Sequence, residues 1–333
     1  NLFPDYNYPG KIKRVDINVT GGAEEDKIVT VEIELYIQDN VFDGAEKAYS
    51  RVYSEIGTFQ DFYMYPVGGN SSVLRGSFTL NKFAKSGLWF TDQIVVTDTV
   101  GNQRFEGVDD FGWKMHINNP LEDVIKPKYV NNSLELNLRD EVIDGHSLQV
   151  LNISYEVDEN KEMKDSSPTY ASVTNPSSDA YRLEGYGEFN NTTNKGNIDF
   201  YLTEYHASGT YGVPYISFTD AALNNGKQFF SNSEDHQPLI TIDITTSDPD
   251  LIPPEVDLNR ITVVAEPANP SAPDGETIVN ITYFAKDDKS GLGIVNYRLL
   301  DPQGISHFEY HYHENTYTLY FDGVPTEWKQ YYI

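Results

Sequence analysis

Between residues 87 and 97 the chain reads GLWFTDQIVVT, and Leu88, Phe90, Ile94 and Val96 fall on one parity. A period of two is the mark of a strand with one buried face in an antiparallel sheet. Runs of the same kind recur: KIVTVEIELYIQDN (27–40), HSLQVLNISYEVDEN (146–160) and ETIVNITYFAKDD (276–288) each alternate, meet a Tyr, and reach Asp a few residues later. Gly, Asn, Asp and Pro punctuate the gaps between them, so many short strands joined by turns predict an all-β chain built from antiparallel β-sandwiches. Helical periodicity is scarce, and residues 45–56 are the one stretch expected to form a helical turn or two.

The strands repeat in order. KSGLWFTDQIVVTDTVGN (85–102) and ASGTYGVPYISFTDAALNN (207–225) carry Ser86 onto Ser208 and Asp98 onto Asp220, a shift of 122 residues each time. The recurring Tyr falls at 36, 155 and 283, spacings of 119 and 128. GKIKRVDINV, KPKYVNNSLELNL and PPEVDLNRITVV supply three matching opening strands, the last two introduced by Pro127 and by Pro253-Pro254. Three tandem units follow from this periodicity: residues 1–120, 121–248 and 249–333, joined by linkers at 118–127 and 247–254. The third has no Ser-Gly phrase, whose place would lie near residues 334–336. It is therefore expected to be truncated, lacking its last two strands.

A strand ending in Asp before a short loop, followed much later by SGLWFTDQIVVTDTVGN, resembles the bacterial immunoglobulin-like repeats of large surface and secreted proteins. The second unit departs from that phrase by Tyr211 in the place of Trp89 and by the expanded turn AALNNG. The resemblance implies tandem immunoglobulin-like sandwiches with an adhesive, spacer or accessory role. It names no ligand, because fold and function separate here.

Charge narrows the partners. With 51 acidic against 24 basic residues the net charge is −27, which repels phosphate backbones and disfavours nucleic acid. No apolar run approaches the ~18 residues of a membrane span. The chain has no cysteine, so disulfides and thiolate chemistry are excluded. The first residues, NLFPDYNYPG, do not read as a signal peptide, and the chain is expected to be a segment of a longer protein with flanking domains.

The repeated acids invite a cation. In an immunoglobulin-like sandwich the loop after the second strand and the loop between the sixth and seventh lie at one end. Asp39 and Asp43 would there face Asp98, Asp158 would face Asp220, and Asp287 and Asp288 would stand in the third unit. Carboxylates with Asn side chains, carbonyls and water could complete the 6–8 oxygen ligands of calcium. The competing reading is that these Asp and Asn residues bond their own backbone and shape turns.

Other chemistry is thinner. In HFEYHYHEN, His307, Glu309, His311 and His313 would share one strand face, a possible zinc or copper arrangement or simply a polar face. Trp89, Trp113 and Trp328 could stack on sugars or fill cores. Seven Asn-x-Ser/Thr sequons in so Asn-rich a chain carry no weight. Nucleophile elbows, phosphate loops and dinucleotide fingerprints are absent. The expectation is a non-enzymatic structural or adhesive segment of an extracellular, bacterial surface or secreted protein, stiffened by calcium and facing a surface glycan or protein ligand. The alternative is a carbohydrate-binding or accessory region of a secreted hydrolase.

Overall fold

The first strand to bury one face, β1 (Ile12–Thr20), pairs antiparallel with β2 (Lys27–Leu35), whose Val29, Val31, Ile33 and Leu35 all point into the core. The computed structural model describes residues 9–37, 44–99, 101–107, 113–232, 237–267, 269–271, 276–292, 294–300, 306–312 and 316–322. After β2 come β3 (Lys47–Ser54), β4 (Phe59–Val67), β5 (Asn70–Leu80), β6 (Gly87–Thr97), β7 (Gln103–Gly107) and β8 (Lys114–Ile117). They pair in the order β1-β2-β5-β4-β3-β6-β7, with β8 also on β6. The start of β4 pairs with β3 and its end with β5, so the ribbon turns over at β4. Two layers result, with Val31 and Leu74 on one side and Ala48, Trp89, Ile94 and Met115 on the other sharing a single core. Phe62 closes the gap, its ring 4.8 Å from Phe78 and 5.7 Å, edge-on, from Trp113.

Residues 45–56 form no helix. Ala48, Ser50, Val52 and Ser54 are buried while Tyr49, Arg51 and Tyr53 turn outward, a period of two that only a strand satisfies.

The next strands are β9 (Lys128–Tyr129), β10 (Glu135–Ile143), β11 (His146–Asp158), β12 (Thr169–Asn175), β13 (Ser178–Asn190), β14 (Lys195–Leu202), β15 (Gly209–Val213), β16 (Tyr215–Thr219), β17 (Asn225–Phe229) and β18 (Ile240–Ile244). Their order, β10-β11-β14-β13-β12-β16-β17, matches the first sheet strand for strand. Leu151, Ile153, Tyr155, Val173, Phe200, Tyr211 and Phe218 form a second core. The counterpart of β6 is here split into β15 and β16 by Pro214, which lacks the N–H a ladder needs. In the first sheet the equivalent position is Asp92, inside a bulge that shifts the register between Ser50–Ile94 and Val52–Thr91. One bend is thus made by a bulge in one unit and by proline in the next.

Beyond Pro254 the pattern starts again. β19 (Glu255–Val256) pairs with β22 (Ala285–Lys286) as β9 pairs with the end of β11. β20 (Thr262–Pro267), β21 (Glu276–Thr282) and β25 (Thr316–Asp322) repeat β10-β11-β14, and β23 (Ile294–Leu300) forms a hairpin with β24 (Ser306–Tyr312). His307, Glu309 and His311 alternate along β24, opposite Leu299, Tyr297 and Val295; His313 lies outside the described residues. Among the described residues no helix is long and apolar enough to cross a membrane.

Candidate cation sites where the linkers meet the sandwiches

The repeated Ser-Gly-aromatic phrase has a structural job. The Ser86 hydroxyl donates to the Ile117 carbonyl (3.1 Å) and accepts from the Asn119 N–H (3.3 Å), fastening β6 to the end of β8. Ser208 does the same at Thr246, accepting from its N–H at 2.9 Å. The Trp89 indole N–H donates to the carbonyl four residues back, Lys85 (2.8 Å), and the Tyr211 hydroxyl donates to Ala207 (2.7 Å). Two different aromatics make one tether.

The phrase ends in an Asp-Asn turn, also made twice. Asn102 N–H donates to Asp98 Oδ1 (2.8 Å) and its amide to Oδ2 (2.8 Å), while the Asp98 N–H donates to the Asn102 carbonyl (3.1 Å). Asp220 and Asn224 repeat these three bonds at 2.8, 2.8 and 3.1 Å. Both aspartates are buried, so turn shaping accounts for their conservation of place within the chain.

At the second unit this turn meets further acids. Carboxylate oxygens of Asp123, Glu159 and Asp220 all lie within 4.8 Å of one another. Asp123 comes from the linker and is held firmly. Its N–H donates to Phe83 of the first unit (2.8 Å), its Oδ1 accepts from the Ile125 N–H (2.9 Å) and its Oδ2 from the Asn160 amide (3.0 Å). The Asn224 amide also reaches the Asp123 carbonyl at 3.1 Å. Gly226 lets the linker lie this close, because a Cβ there would stand 2.2 Å from the Pro127 carbonyl oxygen. Glu159 receives the Lys161 N–H on Oε1 (2.8 Å), and its Oε2 is buried without a hydrogen-bond partner. An acceptor left in that state is costly unless a cation or proton meets it.

The charges feel one another. Burial first, then the neighbouring Asp220 and Asp123 carboxylates, push Glu159 up to about 7. Burial and Asp123 push Asp220 up to about 6, against the pull of the Asn224 hydrogen bonds. Because both folded values lie above the unfolded ones, the native state takes up protons that the unfolded chain releases. That stability is full below pH ~4 and is lost as pH rises through 6 and 7. In EDTA the second unit should therefore melt higher at pH 5.5 than at pH 8; a midpoint that is flat or rises with pH across this window would refute the burial of these acids.

The second linker repeats the device. Asp250, Asp287 and Asp288 converge in the same way. The Ile252 N–H donates to Asp250 Oδ1 (3.1 Å) as Ile125 does to Asp123, and the Ser290 N–H donates to Oδ2 (3.0 Å). The Ser290 and Ile252 hydrogen bonds hold the Asp250 carboxyl well below its usual range. Asp287 Oδ1 accepts from the N–H groups of Lys289 (3.1 Å) and Gly291 (2.8 Å).

Of the acids singled out from sequence, Asp220, Asp287 and Asp288 stand in these two sets. Asp98 shapes its turn and belongs to neither, and Asp39 and Asp43 lie outside the described residues. Asp158 sits opposite Lys128 at the end of β11, exposed, while its neighbour Glu159 turns inward. Asp123, Glu159 and Asp250 were not anticipated. Their signal was present: DVIKP (123–127) and DLIPP (250–254) are one phrase repeated at 127 residues. Trp89 and Trp113 are core residues, 0% and 2% exposed, and offer no face to a sugar; Trp328 lies outside the described residues.

No protein-family model matches this chain, and no curated protein does. Among solved structures it is similar to a tetra-tandem repeat in the extending region of a large adhesion protein, at 11% identity and a TM-score of 0.23, covering 94% of this chain and 66% of that one. Dimeric latent PorU from Porphyromonas gingivalis aligns at 12% identity and a TM-score of 0.25, over 93% of this chain and 31% of that one. The BSP domain of a biofilm associated protein aligns at 11% and 0.18, over 97% and 63%. This chain thus spans less than two thirds of each. Likeness at this level carries no statement about the fold or role of this chain.

Proposed function

We propose that the chain is a row of immunoglobulin-like sandwich units, bounded near residues 120 and 248, that serves as a non-catalytic spacer or adhesive segment of an extracellular, bacterial surface or secreted protein. The observation that carries this reading is the repetition itself: one strand order, one Ser-aromatic tether, one Asp-Asn turn and one linker phrase, each made at least twice. A catalytic centre needs a single constellation, whereas a spacer needs identical joints.

Calcium at the joints is the finer part of the proposal. The Asp123 carboxylate belongs to a linker anchored on the first unit through Phe83, while Glu159 and Asp220 belong to the second. A hard divalent ion shared by them would replace mutual repulsion with attraction and fix one unit against the next. Asp250, Asp287 and Asp288 would do the same at the following joint. Small-angle X-ray scattering in calcium and in EDTA tests this. An elongated particle whose maximum dimension is larger and better defined in calcium is expected. Identical curves in the two conditions would remove calcium from the reading, and a globular particle in both would remove the spacer.

A further inference from the structure

Between the β3–β4 turn of the first unit and the outer face of β12, β13, β16 and β17 in the second lies a cleft of about 980 Å³. Its floor is aromatic. Tyr170 lies 5.2 Å from Tyr186 and 5.8 Å from Tyr215, ring centre to ring centre. Across the opening stands Phe59, 45% exposed, with the Arg51 guanidinium 4.0 Å above its ring. Tyr186 is 69% exposed, so most of the side chain stays open to solvent despite its contact with Tyr170.

The polar groups of the cleft divide into two kinds. Of its two acids, Asp61 is already engaged, accepting from Arg51 Nε (2.6 Å) and Nη2 (2.9 Å) and from the Tyr49 hydroxyl (2.8 Å), while Glu184 stands close enough to the Tyr170 hydroxyl to add to the upward push that burial gives its pKa. Its lysines are not so engaged. Lys126, Lys164 and Lys227 line the same cleft, and among the described residues none of them has a carboxylate within 4.0 Å. In a chain of net charge −27, three lysines against the two carboxylates of Asp61 and Glu184 give the cleft lining a small positive excess.

We propose that this cleft binds an oligosaccharide containing carboxylate-bearing sugars. Tyrosine rings offer an apolar plate with a polar tip, suited to the apolar face and hydroxyl rim of a pyranose. A few convergent polar groups in a largely preformed cleft then set orientation. Lysine acts there as a flexible point charge toward a carboxylate. The surrounding negative field selects a sparsely charged glycan over a dense polyanion such as nucleic acid. The proposal supplies a ligand for the adhesive reading but rests on the cleft alone; a chain that bound no glycan would still be a spacer.

Titration calorimetry of the full chain, in EDTA at low and at physiological salt, tests it with three probes. These are a hyaluronan hexasaccharide, with one carboxylate per disaccharide, fully N-acetylated and therefore neutral chitohexaose, and an eight-nucleotide oligo-dT. One hexasaccharide per chain is expected, at least tenfold tighter than chitohexaose and weaker at higher salt. Tyr186→Ala, an exposed position, should weaken it at least tenfold with an unchanged melting midpoint, as should Lys164→Glu combined with Lys227→Glu. No binding of the hexasaccharide, equal affinity for the neutral sugar, preference for oligo-dT, or indifference to both sets of variants would each overturn the assignment.

Discussion

Trp89→Ala should lower the stability of the first sandwich by about 3–5 kcal/mol, the usual range for emptying a buried aromatic site. Trp89 is fully buried, its indole N–H is bonded to the Lys85 carbonyl, and it lies in one core with Val52, Ile94 and Met115. Truncation therefore leaves a large cavity and an orphaned carbonyl together. The more informative outcome is where the loss appears. The second core, around Tyr155, Tyr211 and Phe218, shares none of these residues. In denaturant, followed by fluorescence and circular dichroism, one transition should move to lower concentration while the other stays. Tyr211→Ala should move the other one. If both transitions shift together in both variants, the sandwiches unfold as a single cooperative body and the unit boundaries proposed here are wrong.

Glu159→Gln should have opposite effects with and without calcium. In EDTA it removes a buried charge that faces Asp123 and Asp220, and it resembles the protonated form that burial already favours, so the unit should become more stable. In calcium it removes a ligand, so the gain from the ion should shrink or vanish. At a hundredfold excess over Kd that gain is about 2.7 kcal/mol, equivalent to a rise of roughly 10 °C in a unit of this size. Asp123→Asn should abolish the rise as well; in EDTA the change should be small, because the lost bond from the Asn160 amide is offset by relief of repulsion with Glu159 and Asp220 and the Ile125 N–H can still be accepted. Equal destabilisation in both conditions would mark these acids as ordinary turn residues.

Much of the fold was legible because a strand with one buried face writes its period into the chain. Val29, Val31 and Ile33 point inward by simple alternation, and so does the Leu151–Ile153 pair. The same period was missed at residues 45–56, where inward Ser50 and Ser54 are polar and the outward Tyr49 and Tyr53 are the hydrophobic-looking ones. Ser50 is accommodated because its hydroxyl bonds to Thr91 and to the Gln93 carbonyl.

The site was half legible for a related reason. Asp220 stood out by its repeat with Asp98, yet the residue beside it in space is Glu159 and not Asp158. Val157 is buried, so parity turns Asp158 outward, and the chain leaves the strand directly after it. Asp123 and Asp250 lay in segments read only as punctuation around proline. Their place in the sites depends on the linker folding back onto the following unit, through contacts such as Asn160 with Asp123 and Ser290 with Asp250. The tyrosine cleft was hidden in the same way, since its walls come from residues more than a hundred positions apart, Phe59 and Tyr170 among them.

The joints can be probed most directly by calorimetric titration of calcium into the chelator-stripped chain. Two ions per chain should bind, one lost in Asp123→Asn and the other in Asp250→Asn. An absence of saturable binding, or an unchanged stoichiometry in the double variant, would show that the linker aspartates hold no metal and that the units are joined without an ion.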